Sequence, residues 1–143
     1  RALSAEYSSL VVKVERRRGT ELYINDGAYG TLFDAAHIRW RFPVRQIGAD
    51  QKDATTTGFS FYGPTCDDMD FMAGPFNLPD SIKAGDYIEI GMVGAYGSAM
   101  RTKFNGYGNS EEHDVADEPM ASLYVGDNLD RSDRDNVVSF PRV

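Results

Sequence analysis

Cysteine is nearly absent from this chain: Cys66 is the only one in 143 residues. A single thiol closes no internal disulfide, so a reducing cytoplasm is the expected setting. Basic residues are in deficit as well. Fifteen Lys and Arg face 22 Asp and Glu, for a net charge of −7. Nucleic acid and anionic membrane surfaces want a basic face and are not expected as partners. No apolar run approaches the ~20 residues that span a bilayer, and no charged-then-apolar secretory leader stands at the start. The two histidines, His37 and His113, are far apart and lack ligand-spaced neighbours, so no metal site is expected. There is no Gly-rich strand–helix nucleotide motif, no nucleophile elbow and no internal repeat.

What is there is one domain of ordinary size, 41% apolar and able to bury a core. Residues 2–7 suit a short helical turn. Ser9–Glu15 reads as a strand, Arg16–Thr20 as a turn with three solvated arginines, and Glu21–Asn25 as the second strand of a hairpin. Asn25–Gly30 holds Asn, Asp and two glycines, the composition of a tight turn with positive φ angles, and Asp26 is read as a turn former. Phe33, Asp34 and His37 are expected in a loop. His37–Arg41 alternates like a strand with Ile38 and Trp40 on one face. Pro43–Thr57 is polar and turn-rich, hence loop; Thr57–Tyr62 is a strand. Asn77–Asp86 is a connector that breaks immediately before a strand at Tyr87–Ile90. Gly91, Gly94 and Gly97 signal a sharp bend or a close approach of backbone to a ligand. Residues 98–104 suit strand and helix equally, Asn105-Gly106 is a turn, and Asn109–Glu118 is an acidic surface stretch. Leu123–Val125 and Val137–Phe140 are short apolar pieces in a charged tail. Short strands, little helix and many turn signals predict an all-β fold, a barrel or sandwich.

The stretch from Phe61 to Asp70 (Phe-Tyr-Gly-Pro-Thr-Cys-Asp-Asp-Met-Asp) carries the chemistry. A Gly-Pro corner turns an aromatic strand into a loop that presents Cys66 and three carboxylates. Loops on rigid scaffolds are where binding and catalytic groups sit. Taken alone, a single cysteine is more often a small buried apolar group, and Asp68 and Asp70 are read as solvating the loop or adding local negative potential.

Four ordered segments resemble one family. Gly63-Pro64-Thr65-Cys66-Asp67 looks like the signature of the ornithine decarboxylase group of pyridoxal-phosphate enzymes, which share the alanine-racemase type of fold. Tyr23–Gly30 is similar to that family's turn after an early C-terminal strand. Gly85–Ile88 leading to Gly94-Ala95-Tyr96 resembles its late strand and cofactor-facing tyrosine. Phe104-Asn105-Gly106-Tyr107 resembles its closing motif.

The resemblance implies that residues 1–143 are a C-terminal β domain whose N-terminal β/α barrel, with the cofactor lysine, is absent from this chain. The isolated chain is then expected to be inactive and to expose apolar surface. The cofactor implied is pyridoxal 5'-phosphate; the partners are a small amino acid substrate and a second copy, in a homodimer with shared sites. Cys66 is implied as the proton donor at the substrate's Cα after carbon dioxide leaves. Cys66 and Asp67 would both reach across the dimer into the partner's site, where Asp67, with Asp34 as the second carboxylate, would meet the substrate's distal ammonium. Phe104 would pack beside the substrate or cofactor, and Tyr29 near the site entrance. Tyr96 would hold the cofactor phosphate. Arg1 matches the last residue of the family's Glu-Pro-Gly-Arg phosphate motif. The implied activity is decarboxylation of a basic amino acid for polyamine synthesis. Ornithine is preferred and lysine is the rival; diaminopimelate is less suited, because no arginine stands near Cys66 and Asp67 for its distal carboxylate. Two other readings stand beside this one: a non-catalytic homologue that regulates a partner enzyme, and an independent β-barrel binding module.

Overall fold

The computed structural model describes residues 8–48 and 55–120. Arg1, the turn expected at 2–7 and the apolar pieces expected after residue 120 lie outside the described residues. The elements run β1 (Leu10–Arg18), β2 (Glu21–Ile24), α1 (Phe33–His37), β3 (Val44–Gln46), β4 (Thr56–Tyr62), β5 (Phe71–Pro79), β6 (Tyr87–Ile90), α2 (Gly94–Ala99) and a 3-10 turn at Phe104–Gly106. The strands form one sheet in the order β3-β6-β1-β2-β4-β5. Its outer strands β3 and β5 approach each other, so the sheet curls into a nearly closed barrel. The domain is all-β with two short helices, as the strand and turn pattern predicts.

The core follows from period-2 alternation. Val12 and Val14 of β1, Leu22 and Ile24 of β2, Phe59 and Phe61 of β4, and Ile88 and Ile90 of β6 all turn inward and are buried. Met72, Phe76 and Leu78 of β5 close the interior, and the Phe61 and Phe76 rings stack at 4.3 Å. On the outer face a second aromatic row crosses three strands: Tyr23 stacks on Tyr62 at 5.1 Å, and Tyr62 meets Phe71 at 4.7 Å.

Most pairs are antiparallel, but β2 and β4 are parallel, with Leu22 opposite Phe61 and Tyr23 opposite Tyr62. A parallel pair needs a crossover connection. Here residues 25–55 supply it and carry α1 and β3. The carboxyl ends of β2 and β4 therefore emerge side by side, and so do the loops that follow them.

Several elements differ from expectation. The arginine cluster is not a turn. β1 continues to Arg18, and only Gly19-Thr20 turn the chain. Arg17 lies over the Phe59 ring at 5.0 Å, donates to the Ile82 carbonyl at 2.8 Å and pairs with Asp80 at 3.0 Å. Residues 33–37 are a helix, not a loop, too short to show a helical period. No strand forms at 37–41: Arg39 has φ +54° and Ile38 is 57% exposed. Part of 43–57 is the short strand β3 rather than loop. The largest omission is β5: residues 71–76 carry no assignment from the sequence, and Asn77–Pro79, expected as the start of a connector, are its last residues. Its Pro75 and Pro79 sit in a strand at one end of the hydrogen-bonded order, where Pro is tolerated. The 91–97 glycine segment enters helix α2, which also resolves part of 98–104. Met92 and Gly94 take positive φ at that corner.

Phe61 is wholly buried at the centre of this packing. Phe61→Ala is expected to lower stability by about 3–5 kcal/mol, read as a fall in the urea midpoint of unfolding.

Candidate active site

The two loops at the carboxyl ends of β2 and β4 are fastened by a buried carboxyl group. Asp70, only 2% exposed, accepts from the Ala28 amide at 2.7 Å through Oδ1. Its Oδ2 accepts from the Thr65 amide at 3.0 Å and the Thr65 hydroxyl at 2.7 Å. Its backbone closes the second loop, with the Gly63 amide donating to its carbonyl at 2.9 Å and its own amide donating to Asp67 at 3.0 Å. Asp70 therefore does not solvate the loop, as its acidic neighbourhood suggested; Asp68 is exposed.

This carboxyl also explains two glycines. A Cβ at Gly27 or at Gly63 would overlap the Asp70 side chain. Neither Gly27 nor Gly30 has a positive φ, contrary to the turn expectation. They are small because carboxyl groups occupy the space, Asp70 at Gly27 and Asp26 at Gly30. Asp26 is a turn former, as read. Its oxygens take the amides of Gly27 and Thr31, at 2.6 and 2.8 Å, and the Thr31 hydroxyl at 2.9 Å.

Held this way, the second loop exposes Cys66 and leaves Asp67 half-buried. The Tyr29 hydroxyl donates to Asp67 Oδ2 at 2.6 Å, and the Met69 amide donates to Oδ1 at 2.9 Å. These two donors, Tyr29 first, hold the Asp67 carboxyl below the usual carboxylate range. The same bond, with burial and the charges of Asp67 and Asp70, raises the Tyr29 phenol above its ordinary value. The Tyr29 ring stacks on Phe104 at 4.4 Å. Asn105, next in the 3-10 turn and at φ +53°, donates to Cys66 Sγ at 3.3 Å. So Cys66, Asp67 and Phe104 come together around Tyr29, beside a hollow lined in part by Thr65, Asp70 and Tyr107.

Asp34 and Tyr96 come together elsewhere. Asp34 on α1 and Tyr96 on α2 line a second hollow with Thr31, Phe42 and Val93. The 25–31 loop borders both hollows, and Arg101 ties it to the segment after α2 by donating to Thr31 at 2.6 Å. Tyr96 is 55% exposed. Met69, Tyr96, Met100, Phe104 and Tyr107 are all large, apolar and exposed. The sequence reading lacked the roles of Asp70 and Asn105 and the polar contact of Tyr29. Each is a contact between distant segments with no local signature.

Residues 6–94 match the family described as the pyridoxal-dependent decarboxylase C-terminal sheet domain. The chain belongs to this family. The matched part of this decarboxylase domain includes Asp34, Cys66 and Asp67, and ends before Tyr96 and Phe104. The domain is similar to ornithine decarboxylase of Cricetulus griseus, 34% identical over 105 residues, covering 71% of this chain and 22% of the relative. It is also similar to antizyme inhibitor 2 of Xenopus laevis, 34% identical over 105 residues, covering 69% and 22%. Among solved structures, it superposes on the Paramecium bursaria Chlorella virus arginine decarboxylase bound to agmatine with a TM-score of 0.65 and 26% identity, covering 74% of this chain and 30% of that one. The chain thus spans about a fifth of the length of the curated relatives it matches. No helix among the described residues is long and apolar enough to cross a membrane.

Two outcomes follow. Asp70→Ala strands three donors and should cost about 3 kcal/mol or more, with the loss read by denaturant unfolding. In a carbon-detected NMR titration, Asp67 should have its midpoint below the ordinary carboxylate value, and Tyr29→Phe should move it up. A folded-state value held down this way adds stability above the unfolded-state pKa, and that contribution is lost as pH falls through the folded value.

Proposed function

We propose that the chain is part of a pyridoxal-phosphate-dependent decarboxylase of a basic amino acid, with ornithine preferred over lysine, acting in polyamine synthesis in the cytoplasm. The observation that carries this reading is the joint presentation of an exposed thiol and a hydrogen-bonded carboxyl group, Cys66 and Asp67, by one fastened loop in a member of the decarboxylase family.

When bound, the cofactor withdraws electrons from the substrate and so makes loss of carbon dioxide possible. The C–C bond to the carboxylate breaks, its electron pair stays at Cα, and the Cys66 thiol delivers the proton that takes the carboxylate's place. Asp67 receives the distal ammonium in a charge-assisted hydrogen bond. Asp34 is the second acid for that ammonium, and Phe104 forms an apolar wall. Tyr96, an exposed residue at the rim of the second hollow, suits one edge of a phosphate brought by another domain; the described residues form no full cradle. That fits a cofactor held chiefly by a barrel, with Arg1 contributing to its phosphate. The division of the site residues between two hollows supports a homodimer with shared sites. One copy supplies Cys66, Asp67 and Phe104, and the other supplies Asp34 and Tyr96. The exposed apolar residues around them are the surface such a contact would cover.

The similarity to antizyme inhibitor 2 favours a second reading, a non-catalytic homologue that binds and regulates a partner. Turnover decides between them. The full-length protein should release carbon dioxide from ornithine, more slowly from lysine, and least from diaminopimelate. Cys66→Ala should lower kcat by about a hundredfold or more, and the 143-residue chain alone should be inactive. Equal or better rates on diaminopimelate would sink the substrate assignment. A full-length protein that binds cofactor without turnover would favour the regulatory reading.

A further inference from the structure

The Asp67 carboxylate is not a bare acceptor. Each of its oxygens already takes one hydrogen bond, Oδ2 from the Tyr29 hydroxyl at 2.6 Å and Oδ1 from the Met69 amide at 2.9 Å. The Met69 bond is local, made within the loop itself. The Tyr29 bond joins the two loops and comes from a residue held at its ring and along its backbone. Its ring is stacked on Phe104. Its carbonyl accepts from the Thr102 amide at 2.8 Å and from the Thr102 hydroxyl at 3.0 Å. The Ala28 amide just before it is held by Asp70. The phenol therefore has little room to swing away from Asp67.

Basic substrates differ in how their distal group meets a carboxylate. A guanidinium is a planar fork that does best when both oxygens accept in parallel. An alkyl ammonium is compact, has three rotatable donors and needs one acceptor position. A carboxylate with one position on each oxygen already filled can satisfy the ammonium through what remains. The fork must instead fit both remaining positions at once, in one plane, or expel the phenol.

We propose that Tyr29 is a specificity-determining residue: by occupying Asp67 Oδ2 it reserves that carboxylate for an alkyl ammonium and disfavours a guanidinium. This deepens the decarboxylase reading and rests on it, because it takes Asp67 as the seat of the distal cation. Tyr29→Phe keeps the ring and its stack on Phe104 but frees the oxygen. Thr102→Val removes one of the two bonds to the same tyrosine's carbonyl, loosening it while leaving its phenol hydroxyl in place.

The test uses the full-length protein and two readouts. The first is calorimetric binding of 1,4-diaminobutane and of 4-guanidinobutylamine to the cofactor-free protein. The second is kcat/KM on ornithine and on arginine with cofactor bound. Wild type should prefer the diamine and ornithine. Tyr29→Phe should erode both preferences about tenfold, the scale of one charge-assisted hydrogen bond, and Thr102→Val should erode them in the same direction by less. Equal weakening of both ligands in Tyr29→Phe, or an unchanged preference in both variants, overturns the proposal and leaves Tyr29 a structural residue. Asp67→Ala separates the two levels. If it binds the diamine as wild type does, the reading of Asp67 as the ammonium site fails. If it loses the diamine while Tyr29→Phe keeps wild-type preference, only the role of Tyr29 fails.

Discussion

One buried carboxyl group sets the geometry on which the rest of the candidate site depends. Asp70 is almost fully withdrawn from water, and a withdrawn carboxyl is costly unless its oxygens are filled. The Ala28 amide and both donors of Thr65 fill them. Those donors belong to two different loops, so satisfying one side chain locks the loops together. Gly27 and Gly63 complete the arrangement by leaving room for the carboxyl. Once this joint is made, Tyr29 and Asp67 have little choice but to meet, and the Cys66 thiol faces Asn105. The groups that carry chemistry are exposed or half-exposed, while the group that aims them is hidden.

The strands that the sequence announces are those with uninterrupted β-branched or aromatic runs. Leu10-Val11-Val12, Phe59 and Phe61, and Tyr87–Ile90 all carry local preferences that agree with their sheet positions. β5 is illegible for the opposite reason. Pro75 and Pro79 break the local pattern, and only its place in the sheet tolerates them. Local motifs single out Cys66-Asp67 and Phe104; that the fold sets these near one another around Tyr29, and Asp34 with Tyr96 at another hollow, is visible only in three dimensions. The site was illegible where one residue's purpose lies forty positions away. Gly27 looks like a turn glycine until Asp70 is seen beside it. Asp70 looks like one more surface acid until its donors are counted.

The parallel pair β2–β4 has a consequence for the order in which this domain assembles. Hairpins such as β1–β2 close over a few residues and can form early. The β2–β4 ladder must wait until the whole crossover, with α1 and β3, has been laid down, because its entropy cost comes before any contact repays it. The Ala28–Asp70 bond of the joint closes a loop of similar length and carries a similar cost. The Tyr29–Asp67 and Asn105–Cys66 contacts are likewise long-range and are expected among the late events of folding. A chain stalled short of that point would have secondary structure and much of its core, yet the loop that bears its thiol and carboxylate and the loop that bears Tyr29 would be two unrelated loose ends.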